Sequence, residues 1–273
     1  MSPQAELDEA MLKVDSLRVH YTTDKAVIKA VDGVTFVVHR GEAYGLAGES
    51  GSGKSTVAQT VLRLLPANSE IEGGKVTFEG IDILEIGEEE YRKKFRWRRI
   101  STVPQAAMNA LTPVYRISTQ IAEAIMTHEQ TRLEDSLSRA GDLLEMVGIP
   151  KDRGQDFPHQ FSGGMKQRAM IAMALACNPS LLIADEPTTG LDVITQAEVL
   201  RLLKDLKSRL GLSLIFITHD LSILAGLCET IAIMYQGKIV EQASPESLFR
   251  DPTHPYTAKL LASYPDIENG RET

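Results

Sequence analysis

Apolar and polar residues alternate through "MLKVDSLRVHY", with Leu12, Val14, Leu17 and Val19 marking one face, and this predicts a strand over residues 11–21. "VDGVTFVVHRGE" (31–42) predicts a second strand with a glycine turn on each side. "EAYGLAG" (42–48) is a short buried strand ending in glycine, and "KSTVAQTVLRLL" (54–65) then follows a helical pattern that Pro66 stops. After "GGKVTFEG" (73–80), a further strand, the texture changes. Residues 88–176 are mostly helical by pattern, interrupted by "STVPQ" and by Pro113, Pro150 and Pro158. Strand rhythm returns with "LLIAD" (181–185), "LSLIFITHD" (212–220), "TIAIMY" (230–235) and "GKIVEQ" (237–242). A helix predicted from 192 to 210 carries Val199, Leu203, Leu206 and Leu210 at 4, 3, 4 spacing, one apolar face laid on a sheet. Strands and helices alternating on both sides of a helical insertion predict an α/β core with a helical subdomain.

Composition narrows this picture without redirecting it. The 273 residues, 43% hydrophobic and 24% charged, suit one globular unit with a subdomain. A formal net charge of −8 makes the surface as a whole repel nucleic acid and anionic lipid. Cys177 and Cys228 are too few for a disulfide framework or a cysteine-rich metal site and read as reduced, buried thiols. The acidic, polar start "MSPQAELDEA" does not resemble a secretory signal, and no apolar run approaches the roughly 20 residues of a membrane helix. We therefore expect a cytoplasmic protein that reaches a membrane only through a partner.

Six of the eight residues from Arg92 to Arg99 are basic, with Trp97 among them. Glu88, Glu89 and Glu90 stand four positions ahead of Arg92, Lys93 and Lys94, the favourable order for helical pairing, and acids at the start with bases at the end suit the helix dipole. The run reads first as a solvated helix face. A partner-facing patch stays open, and nucleic acid is the least favoured reading.

The chemistry concentrates in "GESGSGKST", residues 48–56. Gly48, Gly53, Lys54 and Ser55 satisfy G-x-x-x-x-G-K-[ST], preceded by a strand and followed by a helix. Its three glycines, Gly48, Gly51 and Gly53, let the loop curl so that backbone N–H groups, including those around Glu49, Ser50, Ser52 and Thr56, point at phosphate oxygens. Lys54 would neutralise the β and γ phosphates and the Ser55 hydroxyl would hold Mg²⁺. Such a loop alone names no function. "LLIADEP" adds two carboxylates at a strand end: Asp185, a second magnesium ligand, and Glu186, a general base for water attacking the γ-phosphate.

"FSGGMKQR" (161–168) gives Ser162, Gly163 and Gly164 at the start of a helix, a second anion-gripping helix terminus in one chain. The string resembles the LSGGQ signature of ATP-binding-cassette (ABC) ATPases, with Phe161 and Met165 in place of its Leu and Gln. Other residues match that family's motifs in order. Gln105 of "STVPQ" matches the Q-loop glutamine, which senses magnesium and the attacking water. Asp192 of "TTGLDV" matches the D-loop, and His219 of "FITHD" matches the switch histidine that contacts the γ-phosphate. Tyr21 matches the aromatic that stacks on adenine, although as a residue it also fits a strand aromatic in a core. The resemblance covers roughly residues 11–260.

What the resemblance implies is an ABC-type P-loop ATPase fold, α/β, with an antiparallel β subdomain and an inserted helical subdomain. Residues 1–95 and 165–240 would form the ATP-binding core, 96–164 the Q-loop and helical subdomain, and 241–273 a short C-terminal segment. Two cassettes would sandwich ATP head to tail, each site shared between one phosphate loop and the Ser162–Gly164 stretch of the other. The spacing from Lys54 through Gln105 to Ser162 leaves no room for the long coiled coils of DNA-repair relatives, and a single cassette serving separate membrane subunits is expected.

"VPQAAMNALTPVYRISTQIAEAI" and "GKIVEQASPESLFRDPTHPYTAKLLAS" resemble oligopeptide and dipeptide importer ATPases, a group that includes nickel and oligosaccharide importers. This implies two transmembrane permease subunits, a second and nonidentical ATPase subunit, an extracytoplasmic solute-binding protein and a place on the cytoplasmic membrane face. Residues 106–160 would face the membrane partner. Read by its residues alone, "HPYT" (254–257) is a turn motif without chemistry between Pro252 and Pro255. Many relatives continue into a cysteine cluster that holds an iron–sulfur centre; no cysteine follows Cys228, so no cluster is expected. The competing expectation is a soluble ABC ATPase of a cytosolic assembly machine, such as iron–sulfur assembly.

Overall fold

The computed structural model describes residues 10–262, so the expectations for 1–9 and for 263–273 lie outside it. In chain order the elements are β1 (Ala10–Thr22), β2 (Val27–His39), β3 (Ala43–Ala47), α1 (Lys54–Leu62), β4 (Ser69–Phe78) and β5 (Ile81–Asp82). There follow α2 (Glu88–Lys94), β6 (Ile100–Val103), α3 (Ile117–His128), α4 (Leu133–Met146), α5 (Gly163–Ala174), β7 (Leu181–Asp185) and α6 (Val193–Leu210). The chain closes with β8 (Ser213–Thr218), α7 (Leu221–Leu227), β9 (Thr230–Tyr235), β10 (Lys238–Ala243), α8 (Pro245–Arg250) and α9 (Pro255–Ala262). Two compact units result, one from residues 10–86 with 213–262 and one from 87–212.

The first unit holds an antiparallel sheet in the order β2-β1-β4-β5. Leu12, Val14, Leu17 and Val19 are fully buried. The step of three between Val14 and Leu17 has a cause: β1 pairs Val14 with Phe36 and Leu17 with Val34, and Ser16 sits in the left-handed region at φ 50. One extra residue bulges there and returns Leu17 to the buried face. The same unit carries a parallel ladder in which β3 pairs with β8 and β9, and β10 folds back antiparallel on β9. All five residues of β3 and all six of β8 are buried. That burial explains why these strands read as continuous apolar runs.

In the second unit β6 and β7 pair in parallel, Ile100 opposite Leu181 and Val103 opposite Ala184. The sequence pattern treats "STVPQ" as a break in a helical region, whereas the structure makes Ile100–Val103 a strand. Four residues between a basic run and a proline are too few to show a period, and the partner strand supplies the hydrogen bonds. In α2 the expected pairs form, Glu89 with Lys93 at 2.6 Å and Glu90 with Lys94 at 2.7 Å, while Glu88 reaches Arg96 at 2.9 Å.

Two predicted boundaries shift. Helix α1 ends at Leu62, before Pro66, because Arg63 turns left-handed at φ 52 and caps it. In α6, Val199, Leu203 and Leu206 are buried, but Leu210 is 47% exposed, contrary to the four-residue stripe. The last turn runs past the packed surface into the left-handed Gly211, and Leu212 takes the buried place at 2% exposure. Among the described residues no helix is long and apolar enough to cross a membrane.

Candidate nucleotide site

Strand β3 is wholly buried and delivers the chain at Ala47 into the glycine loop, where α1 begins at Lys54. Two glycines are forced there. A Cβ on Gly48 (φ 146) would lie 2.2 Å from the Met234 carbonyl oxygen, and one on Gly53 (φ 105) would lie 2.2 Å from the Ala30 carbonyl oxygen. The loop is therefore seated on backbone from β9 and β2, where no side chain fits. Ser52, only 5% exposed, closes a turn by donating its N–H to the Glu49 carbonyl at 3.2 Å, and its own carbonyl accepts from Gly237 N–H at 3.0 Å. Glu49, Ser50 and Gly51 form the exposed crest.

Lys54 is 6% exposed, and its ammonium donates to the Gly48 carbonyl at 2.7 Å, the Glu49 carbonyl at 2.8 Å and Ser52 Oγ at 3.3 Å. A buried ammonium with donors on the loop's own oxygens places a positive charge where the loop curls. Ser55 follows, half-buried in the first turn of α1, and Thr56 is buried beside it. The Thr56 hydroxyl lies 3.3 Å from the Tyr21 phenol, which also donates to Gln59 Oε1 at 3.5 Å. Tyr21 is thus tied from the end of β1 to α1 while its ring stays part-exposed. His219 lies just past β8, exposed, after Thr218, which pairs with Ala47. Phosphate loop and histidine therefore leave the same end of adjacent parallel strands. The loop's curl, its buried cation and the Ser55 hydroxyl fit a nucleotide triphosphate with magnesium.

The second unit assembles the other residues. Strand β7 ends at Asp185, and the next residue, Glu186, adopts φ 46. A left-handed glutamate is strained by about 1–3 kcal/mol, and such strain collects at functional positions. The Glu186 carboxylate oxygen Oε2 accepts from Thr189 Oγ1 at 2.9 Å and from Gln105 Nε2 at 3.4 Å. Gln105 follows the end of β6, so the two strand ends bring it to Glu186 as their parallel register requires.

Ser162 caps α5, its hydroxyl accepting from Met165 N–H at 3.3 Å, with Gly163 and Gly164 forming the helix's first residues. Asp192 caps α6, accepting from Thr195 N–H at 3.0 Å and Thr195 Oγ1 at 2.7 Å. Those bonds hold the Asp192 carboxyl below its ordinary range. The two helix starts touch: a Cβ on Gly164 would lie 2.4 Å from Thr195 Cγ2. Sequence reasoning missed Thr189 and Thr195. A hydroxyl residue three places after a carboxylate, at 186/189 and at 192/195, is the signal that could have found both.

A two-unit α/β chain with a glycine phosphate loop on one strand end and an acid pair on another is an ATP-binding cassette. The comparisons agree. Residues 31–189 match the ABC transporter family, and residues 240–273 match the oligopeptide/dipeptide transporter, C-terminal region. A protein of Sinorhizobium fredii described as a probable peptide ABC transporter ATP-binding protein is 47% identical over 275 residues, spanning 100% of this chain and 81% of the relative. The oligopeptide transport ATP-binding protein OppD of Bacillus subtilis is 44% identical over 265 residues, spanning 96% of this chain and 74% of the relative. The dimeric post-hydrolysis state of the cassette MJ0796, bound to ADP and Pi, superposes with a TM-score of 0.76 at 27% identity, covering 86% of this chain and 99% of that one. The chain belongs to the ABC transporter ATP-binding family. It is accordingly an ATP-binding, ATP-hydrolysing transport ATPase.

Proposed function

We propose that this chain energises a peptide importer, binding the cytoplasmic face of two separate permease subunits that receive peptide from an extracytoplasmic binding protein. The observation that carries this reading is the C-terminal segment, whose sequence matches the oligopeptide/dipeptide transporter region over 240–273. The named activities of the Sinorhizobium and Bacillus relatives, both peptide transport, support the solute class. We assign residues 1–95 and 165–240 to the ATP-binding core, 96–164 to the Q-loop and helical subdomain, with 106–160 against the permease, and 241–273 to the C-terminal segment.

Within that role each residue has a task. Tyr21 stacks on adenine. The amides of residues 48–56, apart from the Glu49 N–H that the Tyr256 phenol holds, and the Lys54 ammonium hold the phosphates, and the Lys54 donors exchange the Gly48 and Glu49 carbonyls for phosphate oxygens. Ser55, Asp185 and Gln105 are the residues that would hold magnesium, whose chemistry there would be neutralisation of phosphate charge. Glu186 takes the proton of the attacking water, oriented by the Gln105 amide and the Thr189 hydroxyl. His219 hydrogen-bonds the γ-phosphate, and Ser162, Gly163, Gly164 and Asp192 complete the site of a second, nonidentical cassette in a head-to-tail pair.

The test is a pull-down from native membranes with tagged Glu186→Gln and Mg-ATP, with partners identified by mass spectrometry. Two multispanning subunits and a second cassette are expected, and the binding protein encoded beside them should take up peptide. Only soluble partners overturn the importer reading; a binding protein that takes oligosaccharide overturns the solute class.

A further inference from the structure

The turn "HPYT" lies against the phosphate loop. Tyr256, near the start of α9, accepts a hydrogen bond on its phenol oxygen from the Glu49 backbone N–H at 3.2 Å. Its ring stacks on Tyr235 at the end of β9, centroids 4.1 Å apart and planes at 29°. The turn that carries it is firmly built. Glu241 on β10 accepts from Thr253 N–H at 2.8 Å, Thr253 Oγ1 at 3.0 Å and His254 N–H at 3.0 Å, and His254 Nδ1 accepts from Tyr256 N–H at 3.2 Å. Burial works to raise the Glu241 pKa, yet these donors hold the carboxyl below its ordinary range, so the anchor stays charged at neutral pH.

The consequence falls on one peptide unit. Glu49 N–H is held by Tyr256, while the Glu49 carbonyl is held by Lys54 Nζ at 2.8 Å and by Ser52 N–H at 3.2 Å. Glu49 is an exposed crest residue between two glycines, Gly48 and Gly51, in left-handed conformations. Glycine-rich backbone loses the most conformational entropy on ordering, so an outside clamp on its crest lowers the cost of holding the curl. When Lys54 turns to a phosphate, the Tyr256 contact remains as a restraint on Glu49.

We propose that Tyr256 is a positioning residue for the phosphate loop, through which the C-terminal turn after β10 sets the affinity for nucleotide. The proposal rests on the reading of residues 48–56 as the phosphate site. It assigns to the "HPYT" turn a task in nucleotide binding, where the residues alone suggested a turn without chemistry.

The experiment measures binding of a fluorescent ATP analogue to the full chain and amide exchange across residues 47–53, for wild type, Tyr256→Phe, Glu241→Gln and Lys54→Ala. Tyr256→Phe keeps the ring stack and removes only the acceptor. It should weaken nucleotide binding about 2–10-fold, the worth of one neutral hydrogen bond, and speed exchange in the loop with the melting temperature unchanged. Glu241→Gln, which leaves Tyr256 in place but loosens its turn, should shift both readouts the same way and keeps the test open if Tyr256→Phe folds poorly. A residue that merely anchors the tail would speed exchange in α9 and leave loop exchange and affinity alone; that result overturns the proposal. Lys54→Ala separates the two readings. If it keeps wild-type affinity, the phosphate-loop reading fails; if it loses affinity while Tyr256→Phe and Glu241→Gln do not, only the positioning role fails.

Discussion

Gln105 Nε2 stands 3.4 Å from Glu186 Oε2, the amide at the end of one parallel strand donating to the carboxylate at the end of its neighbour. Thr189 Oγ1 donates to the same oxygen at 2.9 Å, so one carboxylate oxygen collects two side-chain donors. Both bonds orient Glu186, and its left-handed backbone fixes where the side chain leaves the strand. Glu186→Gln should keep nucleotide binding and lower turnover about 10²–10⁴-fold, the usual contribution of a positioned base. Single-turnover hydrolysis of Mg-ATP measures this, and a near-wild-type rate would move the base to another residue.

Gly164 and Thr195 should be coupled energetically. A Cβ at 164 meets Thr195 Cγ2 at 2.4 Å, and Thr195 cannot turn away freely because Asp192 holds both its N–H and its hydroxyl. Gly164→Ala should therefore cost about 1–3 kcal/mol of stability by overpacking. Thr195→Ser removes the obstructing methyl and keeps the hydroxyl, so in the double variant much of that loss should return. Denaturant melts of the four proteins give the coupling energy. Strict additivity would show that the crowding is relieved elsewhere.

Cys177 is predicted to be inert in the native chain. Burial, and then the neighbouring Glu129 carboxylate, push its thiol up to about 12. The native protein should resist iodoacetamide at this residue at pH 8 and react there after unfolding, where a thiol ionises near 8.5. The sign for stability follows. A pKa raised in the folded state gives a contribution complete below the unfolded thiol's value and lost as pH climbs toward about 12. Peptide mapping after alkylation reads the first claim, and labelling of Cys177 in the native chain at pH 8 would contradict it.

Much of the site was legible because its requirements are local. A phosphate loop needs particular residues within nine positions, and a helix start needs a hydroxyl and small neighbours within three. What was hidden depends on partners far along the chain. Ile100–Val103 is a strand because β7, some eighty residues on, pairs with it. Tyr256 matters to Glu49 across 207 positions, a distance no local pattern carries. The left-handed turn at Glu186 falls on a residue with no special propensity for it, unlike the glycines of the loop. Leu210 kept the right period but ran past the end of the packed surface, since periodicity reports a face and not where that face stops being covered.

Ser162 carries two predictions that must be separated. Its hydroxyl accepts from Met165 N–H at 3.3 Å and caps α5, so any replacement loses a cap worth about 0.5–2 kcal/mol. Ser162→Ala shows that loss alone, since it adds no bulk. Ser162→Arg adds a long cation at a surface proposed to meet the nucleotide of a second cassette. Nucleotide affinity of the dilute single chain should be the same for both variants, because the chain's own phosphate loop is untouched. Hydrolysis in the assembled pair should fall at least 10-fold further for the arginine than for the alanine, which corresponds to about 1.4 kcal/mol of lost transition-state stabilisation. Steady-state ATPase rates against protein concentration supply the comparison. If alanine and arginine hydrolyse alike, the start of α5 acts only as a helix cap and the shared site must be built from other residues.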